Sequence, residues 1–510
     1  MILATPERVR EMDMITINEM GIPGAVLMEN AGKGAFHVFA DKYIEPWEKI
    51  LVIVGKGNNG GDGCVIARYL FNNNFMVKIA HIGEEGALKG HAGGNYYVAK
   101  HFGVPIEIFK DSLDGLDKLI DEADVIVDSL LGTGFRPPLT ESYRTIIDMV
   151  NSANKKVLAI DVPSGLDAFT GTPGDIAMKS VATCTMGLGK VGLVSYPGSK
   201  YSGDVYVIDI SFPKNIAYKE PKYFLITDSM NILRLPKRES ASHKGNYGHL
   251  FVLGGSVGKT GAPLMAGISA LRVGTGLVTV GVQDYLRKFV ESKPYELMLH
   301  YFGEDDNFDN GDLSKLLKVI NEKSALVIGP GIGQDTRAVK LLNYIFEFYE
   351  GKVLVDADGL NILSDNLDIL EKSKADVILT PHPGEFSRLT GISVKEIQND
   401  RVSYALDFVK RYPVTLVLKG ARTLIAGKQG ELFVSPFDNP YMATAGMGDL
   451  LSGIIGGFTA QGYDAIKSSV MGVFFHALAA EKAAKGPGLI ATDLLTYLPE
   501  ILLEFTDENN

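Results

Sequence analysis

Residues 49–63 read KILVIVGKGNNGGDG. The unbroken apolar run closed by a glycine describes a strand buried on both faces. The glycine-rich stretch then opens a helix around VIARYL, 65–70. Strand, glycine loop and helix make the opening unit of an open, mostly parallel sheet. Gly55, Gly57 and Gly60 satisfy the G-x-G-x-x-G spacing of a dinucleotide-binding turn. That pattern also asks for an acid at the end of the next strand, to hold a ribose. This chain has His81 there, with Glu84 and Glu85 beyond it, which disfavours ordinary hydride transfer. The unusual members are Asn58, Asn59 and Asp62, polar side chains in a loop whose backbone needs only glycine.

Working outward, Thr5 suits a helix N-cap, Pro6 the first helical position and Glu7 the first turn. FMVKIAHIG (75–83), ADVIVDSLLGTG (123–134), KKVLAIDVPSGLD (155–167) and the region from VATCTMGLGK to YVIDIS continue a strand–helix alternation. This block closes near SFPKN, 211–215. Residues 216–245 are mixed and read as a linker and entry segment. A second series runs through GHLFVLGG (248–255), LVTVGV (277–282), SALVIGPGIG (324–333), KVLVDADGLNIL (352–363), ADVILTPHPGEF (375–386) and VTLVLKGARTLIAG (414–427). The chain is therefore α/β in two domains, as its 510 residues suggest.

Net charge is −11, which argues against nucleic acid or an anionic membrane surface as partner. No apolar run approaches the ~20 residues of a membrane span. No charged-then-apolar leader pattern stands at the N-terminus. Cys64 and Cys184 lie far apart on apolar stretches, as buried thiols do, so a cytoplasmic setting is expected.

In an open parallel sheet, ligands bind beyond the carboxyl ends of the strands. Asp128 ends VIVD and Asp161 ends VLAID, each before a glycine- or proline-containing loop. Asn59, Asp128 and Ser164 offer only oxygens, which suits a hard cation. One carboxylate among neutral oxygens points to an ion of low charge.

VGKGNNGGDG, DSLLGTGFRPP and AIDVPSGLDA together resemble the NAD(P)H-hydrate epimerase domain over roughly residues 1–215. The resemblance implies a Rossmann-like doubly wound sheet that binds potassium through Asn59, Asp128 and Ser164. It implies contacts to the hydrated nicotinamide cofactor from Asn58, Asn59, Gly60, Gly61 and Asp62, and from Gly132, Thr133, Gly134, Phe135, Arg136, Pro137 and Pro138. Tyr143 and Asp161 complete that set. Asp161 is the expected catalytic group, able to hold or relay a proton as hydroxyl leaves and returns on the other face.

In the second half, GGSVGKT (254–260) falls short of a P-loop: three residues separate Gly254 from Gly258 where four are needed. TAGMGDLLSG (444–453) places Asp449 on the first turn of a helix, beside amides and a dipole that favour an anion. GMGD, the hairpin LKGARTLIAG and TPHPGE resemble the ribokinase-like family, with His382 where small-molecule kinases of that family carry asparagine. With GNYGHLFVLGGSVGKTGAPLMAG, GPGIG and DADGLN, residues 225–505 resemble the NAD(P)H-hydrate dehydratase branch. The whole chain thus resembles the fused bacterial nicotinamide-hydrate repair enzymes, acting on the hydrates of NADH and NADPH.

That resemblance implies ADP as co-substrate, giving AMP and phosphate, and magnesium, with Glu385 a candidate to hold it through water. Lys419, Gly420, Ala421, Arg422, Thr423 and Gly448 would contact the nucleotide. Ala262, Gly333, His382 and Asp449 would contact the hydrate, with Asp449 as catalytic base. A homo-oligomer is expected, the apolar helix at 465–480 serving as core or interface. The competing readings are a vitamin-precursor or sugar kinase fused to a cofactor-binding domain, and a first half that only binds.

Overall fold

The computed structural model describes residues 1–291, 295–303 and 310–507. Two compact units emerge: Met1–Leu225 with Asn399–Val402, and Ile226–Gln398 with Ser403–Asn510.

The first unit opens as its sequence dictates. Thr5 Oγ1 accepts from the Arg8 amide at 3.2 Å and Pro6 starts helix α1, Pro6–Met14. Its sheet holds β1 (Lys49–Val54), β2 (Met76–Ile82), β3 (Ile106–Phe109), β4 (Val125–Ser129), β5 (Lys156–Ile160), β6 (Ala182–Met186) and β7 (Asp204–Ile208). The order is β3-β2-β1-β4-β5-β6-β7 and every pairing is parallel. Alternate β1 side chains serve opposite faces: Ile50, Val52 and Val54 join one core, Leu51 and Ile53 the other. That explains the unbroken apolar run. Strand order reverses between β1 and β4, where a doubly wound sheet opens its ligand crevice.

Three details differ from the sequence reading. Residues 58–63 are not loop but the first turns of helix α2, Asn58–Asn72. The glycines there permit contact rather than special dihedrals: a Cβ on Gly60 would stand 2.2 Å from the Gly55 carbonyl oxygen. Strand β3 was not legible, being a short, half-exposed edge. The first unit also extends to Leu225 rather than to about 215, because Tyr223–Leu225 pairs antiparallel with Ile2–Ala4. Ile2–Ala4 pairs in parallel with Gly189–Lys190 as well, setting Ala4 opposite Lys190.

The second unit carries β8 (His249–Leu253), β9 (Leu277–Gln283), β10 (Met298–Phe302), β11 (Ala325–Ile328), β12 (Lys352–Val355), β13 (Asp376–Leu379), β14 (Thr415–Leu418), β15 (Leu424–Ala426) and β16 (Leu432–Val434). Their order is β10-β9-β8-β11-β12-β13-β14-β15-β16. Pairing is parallel through β14, and β14–β15–β16 are antiparallel, so KGART turns a hairpin. Helix α3 (Pro383–Thr390) follows β13, and helices α4 (Met447–Ala460), α5 (Ala465–Ala483) and a last helix, Leu494–Glu504, close the unit. Among the described residues no helix is long and apolar enough to cross a membrane. Both cysteines are free and buried.

Candidate active sites

The first site forms at the strand-order reversal. Asn59 Nδ2 donates to the Leu131 carbonyl at 2.8 Å. The Leu131 amide donates to Ser164 Oγ at 2.8 Å, and Ser164 donates through Oγ and its amide to Asp128 at 2.6 and 2.7 Å. The three predicted oxygen ligands thus meet in one knot. Asp128 is wholly buried, and burial, against hydrogen bonds from Ser164 and Leu130, lifts its carboxyl to about 6. No lysine, arginine or histidine among the described residues pairs with it. Asn59 Oδ1 is buried with no donor. A buried acceptor without a partner is costly unless a donor or cation reaches it.

Beside this knot opens a cavity of about 560 Å³, the size of a small-molecule site. Asn58, Asn59, Asp62, Gly132, Thr133, Gly134, Phe135, Tyr143 and Asp161 line it, as the sequence anticipated. Gly60 and Gly61 do not; they are pressed against Gly55 and Ala92. Arg136, Pro137 and Pro138 are exposed next to it.

Asp161 directly follows β5 with φ +64°, a conformation uncommon for a residue bearing a side chain. Its Oδ1 takes the Lys190 ammonium at 2.8 Å and its Oδ2 the Thr133 amide at 3.1 Å. Burial alone would raise this carboxyl, but Lys190 and the surrounding donors overcome it and hold it below its ordinary value. Lys190 is 0% exposed and also donates to the Met186 carbonyl at 2.8 Å. Sequence reasoning missed Lys190 and Asp13, which lines the same cavity from α1. A lysine directly after the apolar strand and Gly-Leu-Gly, and an acid beside core-facing Met12, were the available signals.

The second site lies along the carboxyl ends of β8 and β11–β14. After β8, Lys259 pairs with Asp358 Oδ2 at 3.0 Å. Asp358, from the turn after β12, also accepts the Gly333 amide at 3.1 Å. Burial, outweighed by Lys259, Gln334 and Gly333, leaves its carboxyl below the usual range. Ala262 Cβ would lie 3.3 Å from a Cβ on Gly331, so the β8 and β11 turns pack closely.

Asp356, 1% exposed, is the hub. It accepts from Lys419 Nζ at 2.8 Å, Thr380 Oγ1 at 2.9 Å and Ser452 Oγ at 2.6 Å. Burial would lower the Lys419 ammonium, but Asp356 and Glu385, 3.7 Å away, keep it above its ordinary value. Gly446, with φ +85°, starts α4, and Asp449 sits on its first turn. Burial first, then Asp356, against Lys419, lifts Asp449 to about 6. A Cβ on Gly448 would stand 3.5 Å from Lys419 Nζ, so the glycine turn faces that ammonium. Arg422 anchors the hairpin turn by donating to the Pro436 carbonyl at 2.7 Å, and Thr423 Oγ1 donates to Gly420 at 2.9 Å. Ala421 is exposed on the same turn.

His382 caps α3. Its Nδ1 accepts from the Gly384 and Glu385 amides at 3.0 and 3.3 Å, while Glu385 accepts the His382 amide at 2.8 Å. Burial lowers the imidazole, so Nε2 carries the proton of a neutral ring. Histidine in place of asparagine therefore keeps the capping acceptor and leaves one donor. Among the described residues no three His, Cys, Asp or Glu side chains cluster to hold a metal.

The family model described as NAD(P)H-hydrate dehydratase matches residues 250–503, and the YjeF-related protein N-terminus matches 24–192. The bifunctional NAD(P)H-hydrate repair enzyme of Moorella thermoacetica is 35% identical over 519 aligned positions, covering 100% of this chain and 98% of the relative. That of Coxiella burnetii is 38% identical over 507, covering 98% of each. An ADP/ATP-dependent NAD(P)H-hydrate dehydratase of Bacillus subtilis, crystallised with ATP and Mg2+, is similar to 54% of this chain, with 95% of its own covered, at 29% identity and TM-score 0.46. Matched end to end across both units, the chain belongs to the bifunctional NAD(P)H-hydrate repair enzymes.

Proposed function

We propose that the chain repairs hydrated NADH and NADPH, its first unit interconverting the R and S epimers and its second dehydrating the S epimer at the expense of ADP. Asp449 carries the second half of this reading: a base of raised pKa on the first helical turn, beside Lys419 and a glycine turn. Hydroxide is a poor leaving group. Asp449 accepts the ring hydroxyl's proton as that oxygen attacks the terminal phosphorus of ADP, and AMP departs. The ring nitrogen's electron pair then expels phosphate. Loss of a proton from the neighbouring carbon restores the double bond. The amides of Ala445–Gly448 and the Lys419 ammonium face the charge of the transferring group. Lys419–Thr423 and Gly448 serve the nucleotide, and Ala262, Gly333 and His382 the hydrate, His382 donating through Nε2.

In the first unit, Asp161 faces the hydrated carbon. Asn59, Asp128 and Ser164 would hold potassium, joined by the Leu131 carbonyl. The unpartnered Asn59 Oδ1 and the buried, cation-free Asp128 support that fit. Potassium there supplies compensating charge. Magnesium would arrive with the phosphates, and Glu385, which already accepts from the His382 amide, would reach it only through water.

The test is a repair assay on a mixture of both NADH-hydrate epimers, with magnesium and potassium, and with ADP, ATP or no nucleotide. Full return of the dihydronicotinamide absorbance with one nucleotide supports both halves and names the donor. Return of about half leaves only the dehydratase. No return with either nucleotide overturns the reading.

A further inference from the structure

We propose that Asp62 is the proton shuttle of the epimerase pocket, and that Lys190 holds Asp161 as a permanent anion that stabilises the cationic ring. This rests on the epimerase reading given above. Both carboxyls line one cavity, in opposite surroundings. Asp161 accepts from Lys190, from the Thr133 amide, and more distantly from Thr185 Oγ1 at 3.4 Å and the Met186 amide at 3.5 Å. To protonate it would strand the wholly buried Lys190 ammonium. Asp62 is 9% exposed, and no described residue donates to its carboxyl. Its closest charged influences are two further acids, Asp161 and Asp13, against one lysine. Burial and those acids push it well above the carboxylate range, so it keeps its proton. Two acids whose surroundings drive them apart divide into an anion and a proton donor. The other titratable groups facing the cavity are Arg10 and Asp13 from α1, Lys56, His91 and Tyr143. Asp13, lifted to about 6, is the nearest competitor.

The step balances. The carbon–oxygen bond to the hydroxyl breaks as the ring nitrogen's electron pair forms a carbon–nitrogen double bond. The Asp62 proton passes to the leaving oxygen, and water departs. Asp161 faces the resulting cation. Water adds to the opposite face, the electron pair returns to nitrogen, and the released proton returns to the Asp62 carboxylate through the water of the cavity. Nothing is oxidised, and no proton is consumed.

The test uses full-length wild type, Asp62→Asn, Asp62→Glu and Asp161→Asn. Each starts from one purified epimer without nucleotide, and epimer equilibration is followed by chromatography from pH 5 to 9. In wild type, kcat should be level at low pH and fall with one proton as pH rises. Asp62→Asn should lose about 10²-fold in kcat or more, with KM within a few-fold and the pH limb gone. Asp62→Glu should recover part of the rate with a displaced limb. The melting transition of each variant, compared with wild type, reports whether the first unit is folded. A wild-type limb that falls toward acid instead overturns the proposal, with no variant needed. So does Asp62→Asn within twofold of wild type, or a limb abolished by Asp161→Asn but kept in Asp62→Asn. If wild type itself fails to outrun spontaneous equilibration, the epimerase reading falls instead.

Discussion

Asp449 shows how one carboxyl's surroundings set both a rate and a stability. As the proposed base it must be ionised, and burial, with Asp356, lifts it to about 6. Dehydratase kcat should therefore rise with pH through about 6 and level above it. Asp449→Asn should lower kcat by about 10²–10⁴ at every pH, checked by single-turnover kinetics. The linkage has the opposite sense. A pKa raised above the unfolded value of 3.8 means stability is present at acid pH and lost as pH rises through about 6. At neutral pH the ionised Asp449 is a cost to the fold. Asp449→Asn should melt as high as wild type or higher near pH 7.5, by on the order of 1 kcal/mol, and should lose that advantage below pH 5. A melting series over pH checks it; an equal loss of stability at all pH would show a structural role instead. Asp128, Asp161 and Asn59 were legible in the sequence because each lies at or just beyond the end of an apolar strand, and Asp449 because a glycine turn precedes it and an apolar helix follows. Lys190 was not, because its partner lies 29 positions earlier and only the folded chain brings the two side chains together. Asp356 was not legible as the hub, since its meaning comes from Lys419 and Ser452, which arrive from the end of β14 and from α4.

At the scale of elements, apolar periodicity was enough to find the strands buried on both faces, and glycine to find their ends. What failed was whatever takes its shape from a partner: the edge strand β3, whose residues are half exposed, and Tyr223–Leu225, a short strand that pairs with Ile2–Ala4 far away in sequence. The start of α2 is a sharper case. The glycines of this stretch look alike in sequence, yet Gly57 has open space around a would-be Cβ and φ −97°, while Gly60 would meet a carbonyl oxygen at 2.2 Å and Gly63, outside the G-x-G-x-x-G spacing, the Ser129 hydroxyl at 2.3 Å. Gly57→Ala should leave melting within about 0.5 kcal/mol of wild type. Gly60→Ala and Gly63→Ala should each cost about 1–3 kcal/mol through overpacking, and should weaken hydrate binding in the adjoining cavity. Denaturant titration of the three proteins separates them; equal losses would mean the spacing itself, not the contact, is what the fold requires.

For the whole molecule, each unit has its own sheet, core and site, so the two chemistries should be separable by single substitutions. Asp161→Asn should repair only the S fraction quickly, the remainder following at the spontaneous rate of epimer exchange. Asp449→Asn should repair nothing but still equilibrate the epimers. If the hydrate is released between the steps, the two halves need not sit on one chain. An equimolar mixture of the two variants should then return all the absorbance, at the rate of wild type carrying the same concentration of each working site. The measurement is a progress curve for both epimers, taken at hydrate concentrations below and above KM. If the mixture matches wild type throughout, fusion serves to keep the two activities in fixed proportion. If it lags at low hydrate and catches up at high hydrate, the intermediate is passed on before it escapes, and joining the two units accelerates repair where hydrate is scarce.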